Sequence, residues 1–276
     1  MLLLFVLINA VLSYTYITEF SHRLQTAPES LFTFPYSFES VPATVFSTPP
    51  ELSLPRHFDI RSFNCGNYTI HQGLCGSCYA WAAVTSLQDR FCYNNHKTAP
   101  LSPQSIISCG WSNLGCSGGS PWLTYNYLKR HGSPSLQCYP YSSGMGHRTT
   151  CRRNCVDGSP FDLYYSNETF FYRTESDMQA GLFLHGSMQI AFFVYADFLS
   201  HQLGIYHHTK GRLLGVHSVR LIGWGTESGV PYWLCANSFG DDWGDQGFFK
   251  IRRGSNECGL EWFGGIGGSP VPKNGH

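Results

Sequence analysis

Gln72-Gly-Leu-Cys75-Gly-Ser-Cys78-Tyr79-Ala-Trp81 places one thiol, Cys78, at the head of a segment that reads as a helix, with a side-chain amide donor, Gln72, just upstream. Downstream, Ala80, Val84, Leu87 and Phe91 recur at the spacing of one buried helical stripe, while Gln88, Asp89 and Arg90 interrupt the apolar run. Cys78 therefore lies near a helix N-terminus. There the unpaired backbone N–H groups and the positive end of the helix dipole favour the thiolate, the nucleophilic form. Other readings stay open on these residues alone. Two cysteines in a secreted chain are most often disulfide halves, and Cys75-Gly-Ser-Cys78 is also the spacing of a thiol oxidoreductase or of half a zinc site.

The 276 residues can hold one large domain or two smaller ones, with ample buried core. Basic and acidic residues number 18 each and charged residues are only 13%, so the basic excess expected of a nucleic-acid or membrane-surface binder is missing. Eleven cysteines point to an oxidising compartment. Leu2 to Leu12 has the length of a signal-peptide core and Ser13 is a small residue at a cleavage position, so residues 1–13 are expected to be a signal peptide. A secreted or lysosome-like vacuolar location follows. Asn67-Tyr-Thr69 and Asn167-Glu-Thr169 are N-glycan acceptor sequences.

Residues 14–53 are rich in Pro, Ser, Thr and aromatics and read as a short extended pro-segment; the compact part is expected to begin at Leu54-Pro55. Ser102 and Pro103 suit the start of a short helix running to Cys109, Gly115-Cys116-Ser-Gly118-Gly119 is a loop where a ligand backbone can approach closely, and Trp122 to Arg130 reads as a helix ended by Gly132. Beyond about Val156 the chain changes to strands, at Met188–Val194, Val219–Ile222, Tyr232–Ala236 and Phe248–Ile251, and the glycine-rich stretch from Gly264 to Gly268 reads as a turn. A helical part followed by a stranded part makes an α+β chain with two lobes, helical over about 75–155 and stranded over about 156–270, with 271–276 as a tail.

A thiolate nucleophile needs a base to hold its proton and a partner to orient that base. His217 stands at the start of one expected strand and Asn237 at the end of another, where side chains reach the rim of a sheet; the chain has twelve histidines, so position alone does not single out His217. Cys75-Gly-Ser-Cys78-Tyr79 matches the C-G-[SA]-C-[WY] pattern of papain and the cathepsins, which carries its His and Asn roughly 130–150 residues downstream; His217 fits that spacing and Asn237 runs slightly long. With LPRHFDIR, QGLCGSCYAW, GCSGG, CYPY, VYADF, HSVRLIGWG and DWGDQGFFKIRRG in the same order, the chain over Leu54 to Gly268 resembles papain-like cysteine peptidases, most closely the cathepsin B-like branch.

The resemblance implies a papain-like two-lobed fold, with a helical left lobe, a β-barrel-like right lobe and an active-site cleft between them, acting on peptide and protein substrates without metal or cofactor. It makes Cys78 the nucleophile, His217 the proton acceptor and donor, Asn237 the residue that orients the imidazole and Gln72 an oxyanion donor. Gly118 and Gly119 would bind substrate backbone, Pro121, Ala191, Val216, Ser218 and Phe263 would line the pocket for the second residue before the cut (P2), and Trp243 would contribute to substrate binding. The implied disulfides are Cys65–Cys92, Cys75–Cys116, Cys109–Cys151 and Cys138–Cys155, which leave Cys78 free and Cys235 and Cys258 over as buried thiols or a fifth bridge. A monomer open to cystatin-type inhibitors is also implied.

The chain departs from the family at Tyr79 and Phe239, where tryptophan is usual, and at Phe263, where cathepsin B has a glutamate able to pair with arginine. Phe263 implies an apolar P2 residue, and Tyr79 and Phe239 leave a catalytically weak or inactive secreted papain-fold binding protein as the alternative. The loop between Cys138 and Cys155 is short and holds one histidine, His147, where long occluding loops use a pair to grip a C-terminal carboxylate; endopeptidase activity with little dipeptide release is expected. The pro-segment is expected to lie along the cleft as an extended strand.

Overall fold

The computed structural model describes residues 43–96 and 98–271. The expected signal peptide, most of the pro-segment and residues 272–276 lie outside the described residues. Among the described residues three α-helices lie in the first half of the chain: α1 (Cys78–Tyr93), the short α2 (Gln104–Cys109) and α3 (Pro121–His131). Pro121 begins α3, where its missing N–H costs nothing, and Gly132 ends it at φ 66°. Around α1 these helices enclose a core of Tyr79, Val84, Leu87, Phe91, Ile106, Tyr125 and Leu128. The helix α1 is buried nearly all round, including Asp89 and Arg90, which the sequence alone reads as a polar interruption.

The second core lies under a nine-stranded sheet of order β1-β3-β9-β4-β6-β7-β8-β5, with β2 paired to β6. Its strands are β1 (Thr44–Phe46), β2 (Phe58–Asp59), β3 (Ser166–Tyr172), β4 (Met188–Tyr195), β5 (Ile205–Tyr206), β6 (Leu213–Glu227), β7 (Val230–Ala236), β8 (Phe248–Arg252) and β9 (Gly265–Pro270). The mixed helix and sheet content makes the chain α+β. Among the described residues no helix is long and apolar enough to cross a membrane.

Three expectations are corrected. The glycine-rich stretch at 264–268 is mostly the strand β9, because its glycines leave room for neighbours: a Cβ on Gly267 would sit 2.2 Å from the buried Arg90 Nη2. A helix, α4 (Glu175–His185), stands in a region read as strands only; its signal is the capping box Thr174-Glu-Ser-Asp177, in which Asp177 N–H donates to Thr174 Oγ1 (3.1 Å) and Thr174 N–H to Asp177 Oδ2 (3.3 Å). The arm before Leu54 is not laid in the cleft over its described part. Its strand β1 pairs in parallel with Phe170–Tyr172 of β3, Phe46 packs against Tyr172 at a 5.0 Å ring separation, and Thr48 donates from both its N–H and its hydroxyl to Asp177 Oδ1. A last short helix, α5 (Leu260–Phe263), leads into β9.

Four disulfides staple the chain: Cys65–Cys92, Cys75–Cys116, Cys109–Cys151 and Cys138–Cys155. Cys78, Cys235 and Cys258 are free and buried. With Cys75 bonded to Cys116, the pairing that a thiol oxidoreductase would need between Cys75 and Cys78 does not form.

Candidate active site

Cys78 is the first residue of α1, and Ser77 before it makes no side-chain cap, so the first-turn N–H groups are left to serve the thiol. Backbone N–H groups of Ser218, Tyr79 and Cys78 favour its thiolate, and the first of these comes from β6, the strand that carries His217. The site thus forms where the end of α1 meets the middle of the sheet.

His217 is fully buried, and its Nε2 lies 2.8 Å from Asn237 Oδ1, at the end of β7. Phe239 stacks on the imidazole with ring centroids 4.9 Å apart and an interplanar angle of 26°, so an aromatic face still shields the His217–Asn237 bond although the indole usual there is gone. Trp243 packs edge-on beneath Phe239 at 5.6 Å and donates its indole N–H to Leu199 O (3.0 Å), which makes it a largely buried support for that ring.

Burial pushes the Cys78 thiol up to about 11 and the His217 imidazole down to about 4; the three N–H groups oppose the first shift and the Asn237 bond opposes the second. Desolvation therefore outweighs the helix N-terminus when each ion is taken singly. Passing the proton from thiol to imidazole leaves the pair neutral overall, so much of the penalty on a lone buried charge is offset by mutual attraction.

Gln72 is held on both sides: its Nε2 donates to Cys75 O (2.9 Å), its Oε1 accepts from the Ser238 hydroxyl, and its backbone N–H donates to Ser238 O (2.9 Å). An amide nitrogen carries two hydrogens, so one remains beyond the Cys75 bond. The facing wall is the glycine loop, fixed by the Cys75–Cys116 disulfide and by Gly76 N–H donating to Cys116 O (2.8 Å). Tyr79 belongs to this wall. Its hydroxyl donates to Gly115 O (3.0 Å), and a Cβ on Gly119 would lie 2.6 Å from its ring, so only glycine fits there.

Pro121, Ala191 and Phe263 come together, with Trp122, Phe171 and Gln189, around a pocket with about 20 Å³ of free space. Ser218 pairs with Ala191 and Val216 with Phe193 in the β4–β6 register, which puts them on the same sheet face but outside that pocket; Ser218 instead borders a second depression with Asn237 and Ala82. A cavity of about 580 Å³, lined by His57, Arg61, Trp224 and Lys250 among others, lies elsewhere; Cys78, His217, Asn237 and Gln72 do not border it. The Cys138–Cys155 loop is tied to the segment before Cys78, with Leu74 N–H donating to Gly144 O (2.8 Å) and the Tyr141 hydroxyl to Gln72 O; His147 is exposed on it.

Residues 54–263 match the family described as papain family cysteine protease, and the chain belongs to that family. It is 40% identical over 217 residues to "Cathepsin B-like CP3" of Giardia intestinalis, covering 75% of this chain and 72% of that one. It is 36% identical over 260 residues to "Cathepsin B-like cysteine proteinase 6" of Caenorhabditis elegans, covering 80% and 68%. Its fold is similar to that of procathepsin B S9 from Trypanosoma congolense, with a TM-score of 0.81 at 28% identity over 88% of this chain and 87% of that one. The chain is a cysteine peptidase of the cathepsin B-like branch, a hydrolase of peptide or protein substrates.

Proposed function

We propose that the protein is an endopeptidase in which Cys78 is the nucleophile, His217 its acid–base partner, Asn237 the orienting residue and Gln72 an oxyanion donor. The observation that supports this most directly is the buried His217 Nε2–Asn237 Oδ1 pair (2.8 Å), on the strand whose next residue, Ser218, favours the thiolate of Cys78 at the start of α1. With Nε2 committed to Asn237, Nδ1 is the ring position that takes the thiol proton. The thiolate attacks the scissile carbonyl carbon, and the oxyanion is met by the second Gln72 amide hydrogen and the Cys78 N–H. Protonated His217 then gives its proton to the departing amine as the C–N bond breaks, leaving a thioester. Water, deprotonated by His217, attacks the thioester and returns the thiol. Gly118 and Gly119 bind the substrate backbone as an extended strand.

Specificity follows from Phe263, which puts an aromatic ring on the P2 pocket and no carboxylate. A buried guanidinium there would lack its counter-charge, whereas Leu or Val meets an apolar wall, and the small free space favours these over Phe. The short loop bearing only His147 leaves no histidine pair to hold a terminal carboxylate. Peptides that differ only at P2 test the pocket. Leu is expected to exceed Arg in kcat/KM by about tenfold or more, roughly 1.4 kcal/mol, and cleavage is expected to be insensitive to amidation of the peptide C-terminus. Equal rates for Arg and Leu, or dipeptide release abolished by amidation, would contradict these assignments. The disulfides fit a lysosome-like or extracellular location, and we take the enzyme to be a monomer open to cystatin-type inhibitors.

A further inference from the structure

Asp89 and Arg220 are buried to within a few per cent, one on α1 and the other on β6. Arg220 Nη1 donates to both carboxylate oxygens of Asp89 (2.8 and 2.7 Å), and Nη2 donates to Gly66 O (3.1 Å) and Tyr68 O (2.9 Å). Asp89 also accepts from the Tyr68 hydroxyl (2.9 Å) and the Ser187 hydroxyl (2.7 Å), and the guanidinium lies 4.2 Å from the Tyr68 ring centroid. Arg90, the next residue, donates to Ser187 O (2.7 Å), which ties the same turn of α1 to the chain just before β4.

What this network joins is specific. The helix α1 carries Cys78 at its first residue and Asp89 three turns later; β6 carries His217 and, three residues on, Arg220. Helix rise sets the lever from Asp89 back to Cys78 at about 16 Å, and strand rise sets the one from Arg220 to His217 at about 10 Å. Two stiff levers pinned at one end fix the gap at the other. At 16 Å a rotation of α1 by about 4° carries Cys78 roughly 1 Å, a displacement that can cost on the order of 10²-fold in rate. A buried ion pair is a poor source of net stability, since apolar residues of similar volume often do as well, so stability alone gives little reason for this one.

We propose that Asp89 and Arg220 are positioning residues that set the register of Cys78 against His217 across the boundary between helix and sheet. This rests on the catalytic assignment above. The test compares the full chain with the double variant D89L/R220M, in which no buried charge is left alone, and with R220K, which keeps the charge but cannot also reach Gly66 and Tyr68. Three readouts are taken: the melting temperature, the split between kcat and KM, and the rate of Cys78 alkylation by iodoacetamide at about pH 5, where an ordinary thiol is almost unreactive. Folded variants with KM nearly unchanged, but kcat and alkylation each lowered about tenfold or more for the double variant and less for R220K, support the proposal. Wild-type kcat and alkylation in a folded double variant overturn it; should that variant not fold, the same values in R220K decide. If wild-type Cys78 itself is inert at that pH, the catalytic assignment fails and the positioning role falls with it, a result separable from the others because it appears before any substitution.

Discussion

Cys78→Ala is expected to abolish peptide hydrolysis, lowering kcat by at least ~10⁴, while the melting temperature stays close to that of the parent. The sulfur is the atom that forms the bond to substrate, and no other group near the site can replace it. Cys235 lies in β7 within the core of the sheet, and burial holds its thiol well above its ordinary value. Cys258 is held up by burial and by the neighbouring carboxylate of Glu257. What survives the substitution is the contribution of bound geometry and oxyanion donors, small beside the loss of a covalent step. The structural effect is slight, because alanine is the best helix former and the lost sulfur makes no disulfide. Assay of the purified variant against an apolar-P2 peptide, with thermal unfolding on the same sample, checks both halves. Residual activity above a few per cent would point to a different nucleophile.

Gln72→Ala is expected to lower kcat by ~10²–10³ with little change in KM, the usual result of removing one oxyanion donor. Here a stability loss accompanies it. The Gln72 carboxamide is buried between Cys75 O and the Ser238 hydroxyl, and truncation leaves both without their partner, at about 1–3 kcal/mol each. Steady-state kinetics at a temperature where the variant is fully folded separates the two effects. A raised KM with unchanged kcat would make Gln72 a ground-state contact and remove it from the oxyanion site.

The site residues were legible where chemistry imposes a local pattern. A thiol at a helix start after a glycine turn is visible in ten residues, and the structure does place Cys78 at the first position of α1. What local pattern could not show was how distant segments share one space. Asp89 reads as a polar interruption of the helix's apolar run until Arg220, more than a hundred residues away, supplies its partner. The stretch 264–268 looks like a turn because its glycines lack β propensity, yet that lack of side chains is what lets the Arg90 guanidinium lie against β9. Residues 44–46 read only as part of an extended pro-segment, because a parallel edge strand borrows its partner from β3. The resemblance placed Val216 and Ser218 in the P2 pocket, but that pocket is bordered instead by Trp122, Phe171 and Gln189, and the two residues only share a sheet face beside it. Tyr79 gains its meaning only from Gly115 and Gly119, which are distant in sequence.

Covalent labelling of the full chain by an epoxide thiol inhibitor such as E-64 at mildly acidic pH, read by intact mass and peptide mapping, tests most directly whether Cys78 is an activated nucleophile. One adduct per chain, confined to the peptide bearing Cys78, with Cys235 and Cys258 unmodified, is the predicted result. No adduct on Cys78, or label spread evenly over the three free thiols, would contradict it.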